Sequence, residues 1–269
     1  MKRFYRIEQN GKPRHAVEEN GVWRVVEGDI FGSWKPGAEI AASGHRLLPP
    51  VMPSKIVAVG LNYKDHAAEV KKPLPAEPLL FLKPSTAVIG PGEPIVIPVG
   101  AGRIDHEAEM GVVIGAQAWH VREQDAAGYV FGITCVNDVT ARELQAKDIQ
   151  YTRAKGFDTF APIGPCIATD LPYDSEEGLT VEGWVNDTRR QASSTRELIF
   201  PVPRLIAFIS SIMTLLPGDI ITTGTPSGIG PLSAGDRVTI KVQGVGELMN
   251  PVGLAIKQER PPPERGERT

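Results

Sequence analysis

The sequence has few cysteines and few aromatic residues, and it has no long hydrophobic run. Its two cysteines, Cys135 and Cys166, lie in apolar stretches without a metal-type spacing, which predicts reduced core residues and fits a reducing compartment. No run reaches the ~18 apolar residues that a membrane helix needs. The charged start, Met1–Arg6, is followed by no apolar segment, so a secretory signal is not expected. We therefore expect a cytoplasmic protein that does not enter a membrane.

An excess of charge of either sign is also missing. The formal net charge is −3, so there is no electrostatic case for binding nucleic acid or an anionic membrane. A hydrophobic content of 41% is typical of a soluble globular protein. At 269 residues the chain is long enough for one large domain with a small appendage.

Proline and glycine, by contrast, are plentiful. The 24 prolines and 28 glycines divide the chain into short segments, most of which have the composition of strands. Residues 1–50 alternate in short β-like runs and end in the proline-rich segment 48–53. We predict a small N-terminal β domain (1–50), a main domain (51–258) and a disordered, charged tail (259–269).

Three carboxylates stand out in the middle of the chain. Glu107 and Glu109 flank Ala108 at the start of an apolar, β-branched run, so on a strand both side chains point to one face. Asp138 follows a second apolar run, at a predicted strand-to-helix corner. Carboxylate oxygens without a nearby cysteine suit a hard cation, Mg²⁺ or Mn²⁺. The alternatives are a solvated acidic face, or a helix N-cap role for Asp138.

A second candidate group is His66 with Glu69. The segment 61–70 favours a short helix, and residues three apart on a helix share a face. A carboxylate beside an imidazole raises its basicity and fixes its tautomer, as a general base acting on water requires. The segment is flanked by glycine and proline, which is compatible with a lid. The alternative is an exposed ion pair on a mobile loop.

Two lysines and two helices complete the pattern. Lys83 interrupts an apolar strand and needs a buried partner, for which the acidic cluster is one candidate. Lys155 falls in a short glycine-containing loop, where a lysine is usually solvated. Helical periodicity extends from Val139 to Tyr151, where Arg142 and Gln145 are three apart on one face. The longest helix is predicted from Pro203 to Leu216.

Six motifs occur in order along the main domain, and together they resemble the fumarylacetoacetate hydrolase family. They are Gly-x-Asn-Tyr-x-Asp-His (60–66), Phe-Leu-Lys-Pro (81–84), Asp-His-Glu-Ala-Glu-Met (105–110), Asn-Asp-Val-Thr-Ala-Arg (137–142), Lys-Gly-Phe-Asp (155–158) and Thr-Thr-Gly-Thr-Pro-Ser-Gly-Ile-Gly (222–230). The resemblance covers roughly residues 55–252 and is closest to the branch of acylpyruvases and 2-hydroxyhepta-2,4-diene-1,7-dioate isomerases.

This resemblance implies a fold, an assembly and a set of roles. The fold is β-rich α+β, built around a rolled mixed sheet, and the protein is expected to be a homodimer. The implied metal ligands are Glu107, Glu109 and Asp138. The other implied roles are a water-activating pair (His66, Glu69), a cation facing the developing enolate (Lys155), and substrate contacts (Gln145, Thr225).

The expected substrate is a small 2-oxo acid or its enol. Attack by an activated water gives C–C hydrolysis, whereas movement of a proton gives isomerisation and loss of CO₂ gives decarboxylation. The motifs do not choose among these reactions. Some acylpyruvate-cleaving relatives carry arginine at the position of Leu61, so this sequence lacks one possible carboxylate contact. A catalytically silent, metal-stabilised binding protein is the alternative of another class, although such a protein would not need a base.

Overall fold

The computed structural model describes residues 1–255 and consists mainly of strands joined by short helices. Strands account for 44% of the structure and helices for 16%, which confirms the β-rich α+β fold predicted from the sequence. The predicted disordered tail (259–269) lies outside the described residues.

In the first half of the described chain most of the regular elements are strands. In the N-terminal region these are β1 (Arg3–Gln9), β2 (Lys12–Glu19), β3 (Val22–Gly28), β4 (Trp34–Ile40) and β5 (Arg46–Leu48). They are followed by β6 (Ile56–Gly60), α1 (Lys64–Glu69), β7 (Leu79–Lys83), β8 (Val88–Ile89), β9 (Ile95–Ile97), β10 (Ile104–His106), β11 (Ala108–Ile114) and β12 (Val130–Asn137).

The second half contains the remaining helices. The elements are β13 (Thr140–Ala141), α2 (Arg142–Lys147), α3 (Thr152–Lys155), β14 (Ala161–Ala168), β15 (Thr180–Val185), β16 (Thr188–Ser194), α4 (Val202–Ile212), β17 (Ile220–Thr222), β18 (Gly230–Pro231), β19 (Arg237–Val242) and β20 (Gly246–Leu254). No helix within residues 1–255 combines the length and the apolar character that a membrane crossing requires.

The strands form two mixed sheets and one small antiparallel sheet. The large sheet has the order β4-β3-β2-β1-β14-β12-β11-β17-β6-β7, with β5 beside β1 and β8 beside β14. A five-stranded sheet, β16-β15-β19-β20-β9, packs against its centre, where β15 and β19 contact β11. Side chains such as Met110, Val112 and Ile240 fill the space between the two sheets and are almost fully buried. The small sheet has the order β13-β10-β18.

The N-terminal strands extend the large sheet. In the antiparallel pair β1–β14, Phe4 lies opposite Ile167, and Phe4 packs in one buried cluster with Val113 of the central strand β11. Residues 1–50 thus share both a sheet and a hydrophobic cluster with the rest of the chain. The domain boundary at residue 50 stays a prediction.

The predicted helix from Val139 to Tyr151 is wrong over much of its length. Thr140 and Ala141 pair with β10 as strand β13, so the helical segment begins only at Arg142. It ends at Lys147, and a separate short helix follows over Thr152–Lys155. Backbone pairing with β10 here overrides a local helical pattern. The helix predicted for 203–216 is found as α4 and ends at Ile212, because Leu215 bridges to Ala118 instead.

Candidate active site

The antiparallel pair β11–β12 brings the acidic residues together. Ala108 lies opposite Asn137, so the chain positions just outside this pair place Glu107 level with Asp138. The Asp138 amide donates to the Glu107 carbonyl at 2.9 Å, and the Glu107 amide donates to the Asn137 side-chain oxygen at 3.0 Å. Glu109, two residues along, points to the same face as Glu107. The pairing of β11 with β12 therefore brings residues that are distant in sequence into one cluster.

Glu107, Glu109 and Asp138 form the acidic triad. Each offers an oxygen, and these oxygens all lie within 4.8 Å of one another. The three residues are 5%, 2% and 1% exposed, which excludes the alternative of a solvated acidic face. The N-cap alternative for Asp138 is also excluded, because helix α2 is preceded by Ala141 at its N-cap.

Three cationic side chains surround the acidic triad. Lys155 Nζ donates to Glu107 Oε2 at 2.7 Å and to Asp138 Oδ2 at 2.6 Å, and Lys83 Nζ donates to Asp138 Oδ1 at 2.5 Å. Arg142 donates to Glu107 and, at 2.9 Å, to Asp105. The alternative of a solvated loop lysine is wrong for Lys155, since this residue ends helix α3 and is 2% exposed. The predicted partner of Lys83 is confirmed.

These ion pairs set the protonation states of Glu107 and Lys155. Burial favours the neutral acid at Glu107, but the charges of Lys155 and Arg142 outweigh it and hold the pKa of Glu107 well below its usual range. Burial likewise opposes the charged form of Lys155, yet the carboxylates of Asp138 and Glu107 raise its pKa. Lys155 is therefore a fixed ammonium at neutral pH and not a free amine nucleophile.

Glu109 is the member of the acidic triad that lacks a cationic partner within residues 1–255. Its Oε2 accepts one hydrogen bond, from the Gly224 amide at 2.8 Å. Burial, followed by the charges of Asp138 and Glu107, raises its pKa well above the ordinary glutamate value. A buried carboxylate in this position needs either a proton or a cation. The donor set, three carboxylates with oxygen ligands only, fits a hard divalent cation such as Mg²⁺ or Mn²⁺.

His66 and Glu69 form the predicted pair on helix α1. His66 Nδ1 lies 2.9 Å from Glu69 Oε2, and the His66 side chain is largely buried while that of Glu69 is about one-third exposed. The alternative of a fully exposed ion pair is therefore wrong for the histidine. In neutral His66, an Nδ1–H group that donates to Glu69 leaves the Nε2 lone pair free to accept a proton.

Helix α1 is tied to the glycine-rich loop that follows β17. Glu69 Oε1 accepts from the Gly228 amide at 2.9 Å. At the start of the helical segment, the Asn62 side chain donates to the Thr223 carbonyl at 2.8 Å and to the Phe200 carbonyl at 3.1 Å. The pair His66–Glu69 is thus oriented by a second element as well as by its own helix.

The two predicted substrate contacts are also engaged within the protein. Gln145 Oε1 accepts from Arg142 at 2.9 Å, which orients the arginine that holds Glu107. The Thr225 hydroxyl donates to the Ala108 carbonyl at 3.0 Å and accepts from Gln191 Nε2 at 2.8 Å. Its hydroxyl proton is therefore committed to the protein, and a substrate carboxylate would have to use another donor of this loop.

Gln191 is a residue that the sequence analysis missed. It is fully buried on β16, and its side-chain oxygen accepts from the Ala108 amide at 2.9 Å and from His106 Nδ1 at 3.0 Å. Its Nε2 donates to Thr225 and to the Pro226 carbonyl, both at 2.8 Å. Gln191 thereby joins the strand ends on both sides of Glu107 to the Gly-Thr-Pro loop. No local pattern marks it, because its partner His106 is 85 residues away.

The side chains of the acidic triad, Lys155 and His66 line one cavity with a volume of about 670 Å³. Among the predicted site residues all except Glu69 line it, and Glu69 contacts the cavity residue His66. Arg142 lines it as well and was noted in the sequence only as a helical neighbour of Gln145. The structure thus brings together the acidic triad, the pair His66–Glu69 and Lys155, which lie in separate segments of the sequence.

Comparison with known proteins decides the family. The profile described as fumarylacetoacetate (FAA) hydrolase, C-terminal, matches residues 55–253. The chain belongs to the fumarylacetoacetate hydrolase family. A second profile, Rv2993c-like, N-terminal, matches residues 2–50. A protein from Archaeoglobus fulgidus, described as uncharacterized, is 51% identical over 224 residues, which cover 83% of this chain and 87% of the relative.

Solved structures of this family share the fold. A 2-hydroxyhepta-2,4-diene-1,7-dioate isomerase from Mycobacterium marinum is 38% identical with a TM-score of 0.87, covering 96% of this chain and all of that one. A maleylpyruvate hydrolase from Sphingobium sp. SYK-6, in complex with manganese(II) and pyruvate, is 30% identical with a TM-score of 0.78 and covers 94% and 100% of the two chains. The fumarylacetoacetate hydrolase fold of this protein therefore occurs in both an isomerase and a hydrolase.

Proposed function

We propose that this protein is a divalent-metal-dependent enzyme that hydrolyses a C–C bond of an acylpyruvate-type 2-oxo acid. The observation that carries the proposal is the shared cavity, in which a histidine paired with a carboxylate opens toward the acidic triad and Lys155. A protein that only binds a structural ion has no need of such a base. The manganese and pyruvate complex of the Sphingobium hydrolase supports a 2-oxo acid substrate.

The metal and the lysine serve the oxygen end of the substrate. A Mg²⁺ or Mn²⁺ ion held by the acidic triad would supply positive charge to the carboxylate and 2-oxo oxygens. Lys155 directs two of its three N–H bonds to Glu107 and Asp138, which leaves one donor for a substrate oxygen. Because its pKa is raised, this lysine provides charge throughout the reaction.

His66 serves the other carbonyl. Its Nε2 takes a proton from water while Glu69 stabilises the resulting imidazolium through the Nδ1 hydrogen bond. The hydroxide adds to the acyl carbonyl carbon, and the bond from that carbon to the neighbouring CH₂ breaks. The electron pair passes to the 2-oxo group, whose oxygen Lys155 contacts. The CH₂ carbon then takes up the proton that His66 removed from water, which restores the neutral imidazole. The products are a carboxylic acid and pyruvate.

The test compares two reactions in two variants. Hydrolysis requires an activated water, and loss of a general base typically costs on the order of 10²–10⁴-fold in rate. His66→Ala should therefore abolish acylpyruvate cleavage but spare much of any oxaloacetate decarboxylation, which needs no water nucleophile. Lys155→Ala should impair both. Equal loss of both activities in His66→Ala would show that the histidine serves binding or closure.

Isomerisation is the second candidate, supported by the similarity to the M. marinum isomerase. There His66 would move a proton along the conjugated chain of a 2-hydroxy-2,4-dienedioate. Oxaloacetate decarboxylation is the third reaction open to this site. Incubation of the wild-type protein with each substrate, with and without EDTA, distinguishes the three reactions, because hydrolysis alone releases a new carboxylic acid together with pyruvate.

We further propose that the enzyme is a homodimer.

A further inference from the structure

We propose that the acyl group of the substrate is uncharged and apolar, and that it packs on one side of the cavity. This inference rests on the proposed function and names the substrate class for the same site. We call the surface concerned the apolar wall. It consists of the cavity-lining residues Leu61, Val70, Pro75, Leu79, Phe81 and Ile229.

The cavity is divided by polarity. Most of its charged residues belong to the acidic triad or to the ion pairs around it, such as those of Lys155 with Glu107 and Asp138. Lys72 lies outside this group. The apolar wall comes from other elements, namely the chain around α1, strand β7 and the glycine-rich loop. None of its side chains carries a hydrogen-bonding group. The apolar wall begins beside the charged group, because the centroid of the Phe81 ring lies 5.0 Å from Lys155 Nζ. A substrate whose polar end meets the acidic triad therefore has hydrocarbon next to it.

Strand β7 has one face toward the cavity and one face away from it. Leu79 and Phe81 line the cavity, whereas Leu82 does not, as the alternation of a strand requires. Leu79 is 49% exposed and Leu82 45% exposed. The Leu79 side chain lies over Gly60, with Cδ2 3.3 Å from the position that a Cβ would occupy there. The absence of a side chain at residue 60 thus makes room for a leucine beside the cavity.

Leu61 contributes an apolar side chain from an unfavourable backbone. Its φ of 50° lies in the left-handed region, which glycine or asparagine adopts more readily than leucine. Either residue would fit the backbone better but would leave the cavity without this hydrocarbon contact.

A second carboxylate on the substrate would find little support. Among the cavity-lining cations, Arg103 and Arg142 bind Asp105, and Lys155 binds two members of the acidic triad. Lys72, an exposed residue at the cavity, has no ion-pair partner within residues 1–255 and would be the sole cation free for such a group. A carboxylate placed against the apolar wall would lose its hydration without gaining hydrogen bonds.

The experiment measures binding separately from turnover. The Mg²⁺-loaded protein is titrated by calorimetry with 2-oxobutanoate, 2-oxohexanoate and 2-oxooctanoate, and with 2-oxoadipate, which carries a terminal carboxylate on the six-carbon chain. We expect affinity to rise roughly fourfold per methylene, as burial of a methylene group predicts, and 2-oxoadipate to bind more weakly than 2-oxohexanoate. Leu79→Thr should flatten the chain-length dependence, as should Leu61→Asn.

The matched control is Leu82→Thr, which makes the same change on the other face of β7 and should bind like wild type. Affinity independent of chain length overturns the inference. So does tighter binding of 2-oxoadipate that Lys72→Gln removes. Cleavage of acetyl-, butanoyl- and hexanoylpyruvate is assayed in parallel. If wild type cleaves none of them while the chain-length dependence of binding holds, the proposed hydrolysis fails and the apolar wall stands.

Discussion

Replacement of Glu109 by glutamine should have opposite effects on the metal-free and metal-loaded protein. Without a metal, the Glu109 carboxylate is buried near two like charges, and its raised pKa reflects that cost. Glutamine keeps the shape and can still accept the Gly224 hydrogen bond. We therefore expect metal-free Glu109→Gln to be as stable as wild type or more stable. With a metal, the same change removes one charged ligand.

The size of the metal effect follows from mass action. At a free metal concentration 100 times Kd, binding stabilises the native state by about 2.7 kcal/mol. For a protein of this size that corresponds to a rise in Tm of roughly 5–10 °C. If the variant binds 10- to 100-fold more weakly, the same concentration stabilises it by only about 0.4–1.4 kcal/mol. Between about half and about five-sixths of the metal-induced rise in Tm should then be lost.

The assay is thermal unfolding of both proteins in EDTA and in Mg²⁺ or Mn²⁺, with calorimetry for Kd. The control is Glu247→Gln, which removes a carboxylate from an exposed ion pair with Lys241 and should change stability by less than ~0.5 kcal/mol in either condition. If Glu109→Gln keeps the wild-type metal affinity, Glu109 is not a ligand. If the metal-free variant is clearly less stable than wild type, the argument from like-charge repulsion is wrong.

Three further predictions concern other parts of the molecule. Gln191→Met should lower the free energy of unfolding in urea by about 2–4 kcal/mol, because each buried partner left without a hydrogen bond costs ~1–3 kcal/mol. The control Gln243→Met, at an exposed position, should cost little. Burial lowers the pKa of His15, so the folded state binds fewer protons than the unfolded chain, and the free energy of unfolding should fall as pH drops below ~6.5. His15→Gln should weaken this pH dependence, and an unchanged slope of unfolding free energy against pH would contradict the prediction. Light scattering at micromolar concentration should give the mass of a dimer, and a monomeric mass would refute the proposed assembly.

The sequence alone predicted those features of the site that follow from the residue spacing of a strand or a helix. The three-residue spacing of His66 and Glu69 on a helix is present in the structure. The two-residue spacing of Glu107 and Glu109 also brings them together, with Glu109 on β11 and Glu107 directly before that strand. Strand content was readable because glycine and proline delimit short β-branched runs. The order of the six motifs was sufficient to indicate the family.

Tertiary structure decided which of these residues meet and what charge they carry. Lys155 has the local sequence of a solvated loop residue, yet contacts with Glu107 and Asp138, 48 and 17 residues away, bury it and keep it charged. Thr140 was predicted to be helical but lies in a strand, because it pairs with β10. Gln191 carries no local signal, because its importance arises from four hydrogen bonds to distant groups. Local propensity amounts to a few tenths of a kcal/mol per residue, whereas an unpaired buried polar group costs ~1–3 kcal/mol, so long-range pairing determines the details of this site.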